Sequence, residues 1–452
     1  MCAALLAGLL ALPLWLVATP VEDLRVEGEH PRLLLTQRRL RLLKREKDRN
    51  SFRWQQFSAL VRGKVQLPEP GFALALYYQV AGEEEQGRAA VGWALTPSAR
   101  DLRQLALVFD WCQPLLDSQQ RAALAAKLKT ALERPTQSGT LPQMRDQVFA
   151  AIAASGHLDR LPEARLNEIV NRWWAQEAAP ELESGRLRFP RSEIYALYEF
   201  LHAVRDNLNA DLRESAQSYF KDLPAYQLLT YRPAPYDAGE NEFHIPVTDK
   251  PGEPDLTRAA LSRAAEFAMV AFDTNALESQ FLQGWLIRDR FLMRGPFGAP
   301  YEFLWANPYQ PGLSVYHMPL YLRDAKAGAL LVRSSWEENS RWFGLDKGTM
   351  LVLESGRLQT IDPLRAGALD FGDCLILFPS QHRGVTVSGG ETKGKTIFWV
   401  GLQPHHKYEV RVAAGASRIE AADAGGVIVT AIPPRAEQTV AVSPVPAENT
   451  QP

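Results

Sequence analysis

The sequence has few cysteines and little net charge, and each shortage excludes a class of protein. Three of its 452 residues are cysteine, too few for a disulfide-rich secreted scaffold. Cys112 and Cys374 lie in apolar settings in different parts of the chain, so we expect two buried free thiols. The net charge is −2, and no overall field would recruit nucleic acid.

Metal-site spacings and internal repeats are also missing from the sequence. No spacing of Cys and His resembles a metal site, and we expect neither a metal nor a cofactor. The absence of a strict repeat disfavours an ordinary helical solenoid. A polyanionic ligand would need a local basic patch.

The first residues form one apolar run. No charged side chain occurs between Met1 and Ala18, which is typical of the apolar region of a secretory signal. We therefore assign residues 1–20 to a signal peptide or an N-terminal anchor and expect a periplasmic or secreted protein. An uncleaved segment would be its only membrane contact.

The periodicity of apolar residues changes near residue 320. Before it they recur at helical spacing, and after it they alternate in short runs broken by Gly and Pro. This switch predicts an α+β multidomain protein, with helices in 21–319, a β domain in 320–443 and a disordered tail in 444–452. The helical part predicts about ten to twelve helices joined by short turns, an incomplete α/α toroid.

Capping residues predict where several helices begin. Thr36 and Asp117 each precede an amphipathic stretch, and Ser98 to Asp101 has the capping-box pattern. Residues 226–254 and 293–319 have no helical period but are rich in aromatic residues, including Tyr236, Tyr301 and Trp305. Because long loops in compact domains are usually functional, we expect both stretches to form the rim of a cleft. The β part predicts an antiparallel sandwich of about eight to ten strands.

Several segments together resemble the heparinase II/III-like polysaccharide lyases, which have an α/α toroid followed by a β-sandwich. The segments that carry the resemblance are HPRLLLT (30–36), LALVFDW (105–111) with PLL (114–116), and ALLVRSSW (329–336). The resemblance covers most of the chain and implies an acidic polysaccharide or oligosaccharide as the partner.

The resemblance implies β-elimination at a uronate. A base removes the proton beside the carboxylate, an acid protonates the leaving oxygen, and an Asn–His pair neutralises the carboxylate. The helix that matches the Asn–His helix reads Met144-Arg145-Asp146-Gln147, so the pair is not found. Arg145 and Gln147 remain as substrate-binding candidates there. The family's Tyr-bearing helix resembles residues 191–198, where Tyr195 or Tyr198 would be catalytic.

The family's β-domain His is also not found, because residues 346–350 contain none. A polar stretch in the first irregular loop offers replacements. His244 would be catalytic there, and Tyr236, Asn241 and Glu242 would bind substrate, as would Tyr301 and Trp305 of the second stretch.

Three hypotheses follow. The first is an exported lyase that acts on a uronate-containing glycan. The second is a catalytically inactive relative that binds glycans. The third is a toroid glycoside hydrolase that uses loop carboxylates, with Asp237 paired to Glu240 or Glu242.

Overall fold

The computed structural model describes residues 20–22, 24–26, 28–134, 139–233, 235–237, 244–245, 247–248, 254–289, 293–381, 384–412 and 416–445. In these ranges, fourteen α-helices precede strands β3 to β15, and β1 and β2 form a small pair within the helical region. The chain is therefore an α+β protein whose helices come first. None of the helices in those ranges has the length and apolar content that a membrane span needs.

The helices are α1 Gln37–Asp48, α2 Phe52–Arg62, α3 Pro70–Ala81, α4 Glu84–Leu95, α5 Leu102–Trp111, α6 Ser118–Leu132, α7 Leu141–Ala154, α8 Leu161–Leu166, α9 Ala179–Glu183, α10 Ile194–Leu208, α11 Gln217–Leu229, α12 Leu256–Phe272, α13 Leu277–Arg288 and α14 Gly298–Trp305. A π-helical segment, Asn167–Ala178, joins α8 to α9.

Side-chain caps set the start of several helices. Thr36 caps α1, and Asp117 caps α6 in a capping box, as the sequence predicted. The predicted start of α5 was wrong by one turn. Asp101 caps that helix, whereas the hydroxyl of Ser98 lies 3.2 Å from that of Thr96 in the turn before it. The carboxylate of Asp101 accepts a hydrogen bond from a free N–H group at the start of α5, which is the capping role that the sequence had assigned to Ser98.

The six inner helices form a closed ring. Along the chain, α3, α5, α7, α10, α12 and α14 each pack against the next, and α14 packs against α2 and α3. Helices α4, α6, α11 and α13 each connect two consecutive inner helices, the segment from α8 to α9 connects α7 to α10, and α1 and α2 precede the first inner helix. Because consecutive helices are antiparallel, the inner helices all run the same way. The ring is closed where the sequence predicted an incomplete toroid.

Helix α14 falls within a stretch that the sequence predicted to be an irregular rim. All eight of its residues are buried. A helix that is apolar on every side shows no amphipathic period, and its Gly and Pro residues read as loop signals. Tyr301 and Trp305 therefore lie on an inner helix of the ring and not on a loop.

The strands are β1 Tyr236–Asp237, β2 His244–Ile245, β3 Tyr321–Asp324, β4 Ala329–Arg333, β5 Trp342–Asp346, β6 Thr349–Glu354, β7 Arg357–Thr360, β8 Leu369–Asp370, β9 Cys374–Leu377, β10 Val385–Ser388, β11 Lys395–Trp399, β12 Lys407–Val412, β13 Ala416–Ala421, β14 Ile428–Ile432 and β15 Glu437–Pro444.

Strands β3 to β15 form three stacked sheets. Their orders are β3-β4-β5-β6-β7, β14-β11-β9-β8 and β10-β15-β12-β13. All pairs are antiparallel except β9 with β11. In the middle sheet, Cys374 and Ile376 pack toward the first sheet, and Leu375 and Leu377 pack toward the third. Strands buried on both faces are continuous apolar runs, which is the pattern of CLIL in β9.

The helical ring and the first sheet share one apolar core, which includes Trp342 of β5. The indole Nε1 of Trp342 donates to the carbonyl of Leu229 at 2.6 Å. Arg188 forms an ion pair with Asp324 at the same junction. Cys112 and Cys374 are free and buried, which confirms that prediction.

Candidate functional site

A cleft of about 910 Å³ opens at one end of the helical ring. It is lined by the first turns of α5, α7, α10 and α12, by residues of α14 and by Glu69, which precedes α3. The first N–H groups of a helix carry positive partial charge, so the parallel inner helices direct several positive ends at this cleft. That field favours an anionic ligand.

The described residues that line the cleft carry four positive and three negative groups. The cations are Arg100, Arg103, Arg134 and Arg145, and the carboxylates are Glu69, Asp101 and Asp146. Glu199, which pairs with Arg103 and Arg145 from below, balances the one surplus positive charge. The positive field at the cleft therefore comes from the helix ends.

Glu199 of α10 lies beneath the floor of the cleft and is fully buried. Arg103 of α5 donates to it from Nε at 3.0 Å and from Nη2 at 2.7 Å. Arg145 of α7 also donates to it from Nη1. Burial by itself would raise the pKa of Glu199, but the two guanidinium groups outweigh burial and hold that pKa below its ordinary value. Glu199 is therefore an ionised counter-ion shared by two arginines.

Tyr195 stands between this ion cluster and the cleft. Its hydroxyl donates to Glu199 at 2.7 Å and accepts from the indole Nε1 of Trp305 at 3.0 Å. Burial raises the pKa of Tyr195 well above the usual value for a phenol, and the charge on Glu199 raises it further. Arg103 Nη2 donates to the same hydroxyl at 3.5 Å. The hydroxyl is therefore protonated at neutral pH and already has three partners.

Tyr301 of α14 forms the neighbouring wall. Its ring meets that of Tyr195 edge-on, with the centroids 5.0 Å apart. Its hydroxyl donates to Glu69, and Arg103 Nη1 lies 3.3 Å from the same carboxylate. Arg103 is thus held between two carboxylates and two tyrosines.

The start of α7 carries Arg145 and Gln147, the two residues that the sequence analysis predicted to bind substrate. Asp146 accepts from Arg145 Nε at 2.6 Å. Burial raises the pKa of Asp146, and Arg145 opposes that effect only in part. Gln147 also lines the cleft, but its amide donates to the carbonyl of Ala131 on the outer helix α6 at 3.0 Å. Arg145 is therefore the group on this helix with positive charge to offer a substrate.

The remaining predicted site residues lie elsewhere. Trp305 is buried behind Tyr195 and does not line the cleft. Tyr198 lines a separate cavity of about 310 Å³ with Arg213 and Asp273. It packs edge-on against Phe272, with the ring centroids 6.0 Å apart.

Four predicted residues lie in the first irregular loop. Asn241 and Glu242 fall outside the described residues, as does Glu240 of the proposed hydrolase pair. For Tyr236 and His244 the structure gives only the backbone, in which they pair β1 with β2. Their catalytic and binding roles stay predictions.

A second groove, of about 740 Å³, runs between the helical ring and the first sheet. Ser192 lines both the cleft and this groove, so the two are neighbours. Arg188 and Arg191 line the groove, where their guanidinium groups lie over the rings of Tyr226 and Tyr231 at 4.1 and 4.2 Å. Basic and aromatic side chains therefore continue from the cleft toward the β region.

Sequence reasoning missed the residues that organise the cleft, Arg103, Glu199 and Glu69. Arg103 and Glu199 are charged residues within apolar helical stretches, LRQLALVF and YEFL respectively, and this was the signal in the sequence. Such a residue is rarely buried without a partner. Nothing in the sequence pairs them, because they are 96 positions apart.

Comparison with known proteins does not establish a family. No protein-family model matches the chain, and no curated protein matches it. Among the solved structures that match is one described as a glycoside hydrolase, with 10% identity and a TM-score of 0.32 over 83% of this chain and 71% of that one. A likeness this distant carries no argument about function. The resemblance to heparinase II/III-like lyases therefore stays a prediction.

Proposed function

We propose that the protein acts on an acidic polysaccharide or oligosaccharide that binds in the cleft, and that it cleaves the chain by β-elimination. The observation that carries this proposal is the convergence of Arg103, Arg145 and Tyr195 at the positive ends of the inner helices. A cleft of this size accommodates several sugar rings. Aromatic walls and arginines together suit rings that carry carboxylates.

The arginines would supply the neutralisation that β-elimination needs. The proton beside a uronate carboxylate is very weakly acidic while that carboxylate keeps its charge. Arg145 lies at the cleft wall with a small part of its side chain exposed. A substrate carboxylate that binds Arg145 would spread its charge and stabilise the developing anion.

The same contact would change the protonation of the cluster. When a substrate carboxylate draws Arg145 away from Glu199, Glu199 loses one of two cations that depress its pKa. It can then accept the proton that Tyr195 already donates to it at 2.7 Å. The phenolate takes the proton from the carbon, and the electron pair forms the double bond as the bond between the neighbouring carbon and the glycosidic oxygen breaks. The leaving oxygen receives the proton from Tyr195, and Glu199 then returns its proton to Tyr195.

Hydrolysis is a second candidate, favoured by the pKa of Asp146. A carboxyl whose pKa is raised by burial can act as a general acid, and Glu69 or Asp101 would then be the second carboxylate of the same cleft. The two reactions differ in their products. Elimination gives an unsaturated sugar that absorbs in the near ultraviolet, whereas hydrolysis gives reducing ends without that absorbance.

The test is a panel of uronate-containing polymers assayed for both products. We expect near-ultraviolet absorbance with at least one polymer, and Tyr195→Phe should lower kcat by about 10²- to 10⁴-fold. Arg145→Met should lower kcat/KM by about 10- to 100-fold, the effect of one charge-assisted hydrogen bond. The matched control is Tyr198→Phe, on the same helix but away from the cleft, which should keep the wild-type rate.

Three results would contradict the lyase proposal. Full activity of Tyr195→Phe would remove the proton-transfer role of that residue. Reducing ends without absorbance would favour hydrolysis. Binding of a polymer that Arg145→Met weakens, with no product of either kind, would leave a glycan-binding protein.

A further inference from the structure

A pocket of about 310 Å³ lies at the far side of the junction between the helical ring and the first sheet. It is lined by basic and aromatic side chains and by two carboxylates. These are Tyr231 and Arg232 after α11, Trp285 and Arg288 of α13, Arg333 and Trp336 of the first sheet and its following loop, and the carboxylates of Asp289 and Glu338. No residue lines both this pocket and the cleft. Its chemistry can therefore be judged without reference to the proposed reaction.

Arg333 is a buried cation that lacks a carboxylate partner. Only 6% of the residue is exposed. Its hydrogen bonds are two long ones from Nη2, to the carbonyl of Glu337 at 3.4 Å and to the hydroxyl of Ser340 at 3.3 Å. Its Nε is buried without a hydrogen-bond partner, and no described carboxylate lies within 4.0 Å of its guanidinium. Buried charges in proteins are normally paired, so this arrangement needs a compensating anion.

The surroundings of Arg333 contain both further arginines and carboxylates. Arg288 and Arg232 line the same pocket. Burial lowers the pKa of Arg333 to about 10, and Arg288 contributes to that lowering, opposed only by Glu337. The nearby carboxylate of Asp289 is already paired with buried Arg263. Three guanidinium groups and the carboxylates of Asp289 and Glu338 thus line the pocket, and Arg288 pairs with Glu337 at 3.4 Å.

The walls of the pocket are aromatic. The guanidinium of Arg333 lies 4.9 Å from the ring centroid of Trp336. On the opposite side the rings of Tyr231 and Trp285 stack, with their centroids 5.1 Å apart. The volume exceeds what a lone ion occupies and falls at the lower end of small-ligand sites.

We propose that this pocket binds a tetrahedral oxyanion, a sulfate or phosphate group, with Arg333 as its central ligand. Such a group accepts two parallel N–H bonds from a guanidinium and would use the donors of Arg333 that now lack good partners. Arg288 would bind it from the solvent side. The oxyanion can be a free ion, or it can be carried on a sugar whose ring packs against the indoles.

Thermal unfolding of the full chain tests the proposal, with sodium sulfate, sodium phosphate or sodium chloride at equal ionic strength. We expect sulfate or phosphate to raise the Tm by about 2 °C or more over chloride once the anion is in tenfold excess over its dissociation constant. Arg333→Met should remove that rise and weaken anion binding by about tenfold or more. The matched control is Arg365→Met, which removes a surface arginine of the β region with a side chain 89% exposed and should keep the rise.

Binding measurements distinguish a free oxyanion from one attached to a sugar. The ligands compared are glucose 6-phosphate, glucose 6-sulfate and glucose. Tighter binding of the sugar esters than of the inorganic ions would show that the indole walls contribute. Equal binding would show that the site recognises only the oxyanion.

A second variant covers the case in which Arg333→Met fails to fold. Arg288 has a side chain 43% exposed, so Arg288→Met leaves the core intact and should reduce the anion-dependent rise by severalfold. The proposal is overturned if sulfate and phosphate give no rise beyond chloride, or if both variants keep the wild-type rise. A change in stability alone, equal in all three salts, would mean that Arg333 only closes the loop to Ser340.

Discussion

Two buried arginines in this protein have opposite surroundings. Arg103, under the cleft, donates three hydrogen bonds to the fully buried Glu199 and contacts Glu69 as well. Arg333, at the junction pocket, has two long hydrogen bonds to neutral groups and faces Arg288. A cation that has an internal counter-ion belongs to the architecture of its site. A buried cation without an internal counter-ion can instead be neutralised by a bound anion.

The pKa values express the same difference. Burial alone would lower the pKa of Arg103, but Glu199 raises it well above the ordinary value. Burial lowers the pKa of Arg333 to about 10, Arg288 lowers that pKa further, and Glu337 opposes this only in part. Coulombic compensation, and not burial, therefore separates the two sites.

Removing the charge of Glu199, the counter-ion under the cleft, should have the largest effect on stability. Glu199→Gln leaves Arg103 and Arg145 buried beside a neutral amide, and we expect the free energy of unfolding to fall by about 3–5 kcal/mol. Urea unfolding measures this loss. Glu181→Gln, which breaks an exposed ion pair with Arg186, should have a much smaller effect, because solvent screens that pair. Equal losses in the two variants would show that the cleft cluster does not stabilise the fold.

Acid should weaken the fold through His202 and not through the cleft cluster. His202 is fully buried on α10, with Nε2 3.0 Å from the carbonyl of Ala268 and Nδ1 3.1 Å from Arg205. Burial lowers its pKa well below the ordinary value, and Arg39, Arg205 and Arg213 lower it further. Asp206 is the nearby carboxylate, 4.0 Å away. The native state therefore keeps this imidazole neutral.

The sign of the pH effect follows from that neutrality. Below about pH 6.5 the unfolded chain takes up a proton that native His202 does not, so stability falls by about 1.4 kcal/mol per pH unit. The depressed pKa of Glu199 places the loss of its contribution at more acidic pH. Urea unfolding at pH 7 and pH 5.5 should show a smaller loss for His202→Gln than for wild type. The same loss in both proteins would assign the acid sensitivity to other groups.

Removing Arg333 should have the smallest effect on stability. Without an added oxyanion, Arg333→Met exchanges an uncompensated buried charge for an apolar side chain of similar length. We expect the free energy of unfolding to change by less than about 1 kcal/mol, or to rise. Arg103→Met, measured in the same urea titration, should lose about 3–5 kcal/mol because it leaves Glu199 short of a partner. Similar losses for both variants would remove the contrast between the two sites.

The sequence predicted the order of the architecture and part of the cleft. Helical spacing and caps such as Asp117 predicted the helices that form the ring. The family resemblance pointed to Tyr195 and Arg145, which lie together at the cleft. The caps are local, since a carboxylate and the N–H it accepts are three positions apart. Such features can be read from one segment of sequence.

The features that the sequence did not predict depend on contacts between distant segments. The sequence predicted a loop where α14 lies, because a fully buried helix has no polar face and so no amphipathic pattern. The third sheet layer was missed although CLIL in β9 and TIFW in β11 carry apolar residues on both faces. The two arginines that pair with Glu199 come from two other helices, and only the closed ring brings them together.

The contact between α14 and α3 has a consequence for how the chain folds. Glu69 and Tyr301 are 232 positions apart, yet they share a hydrogen bond at the wall of the cleft. Closing so long a segment costs entropy before any contact compensates for it, and contacts of large separation slow folding. During synthesis the early helices must wait for the ribosome to release α14. The cleft is therefore assembled late, and a chain truncated before residue 298 would expose the apolar faces that α14 covers.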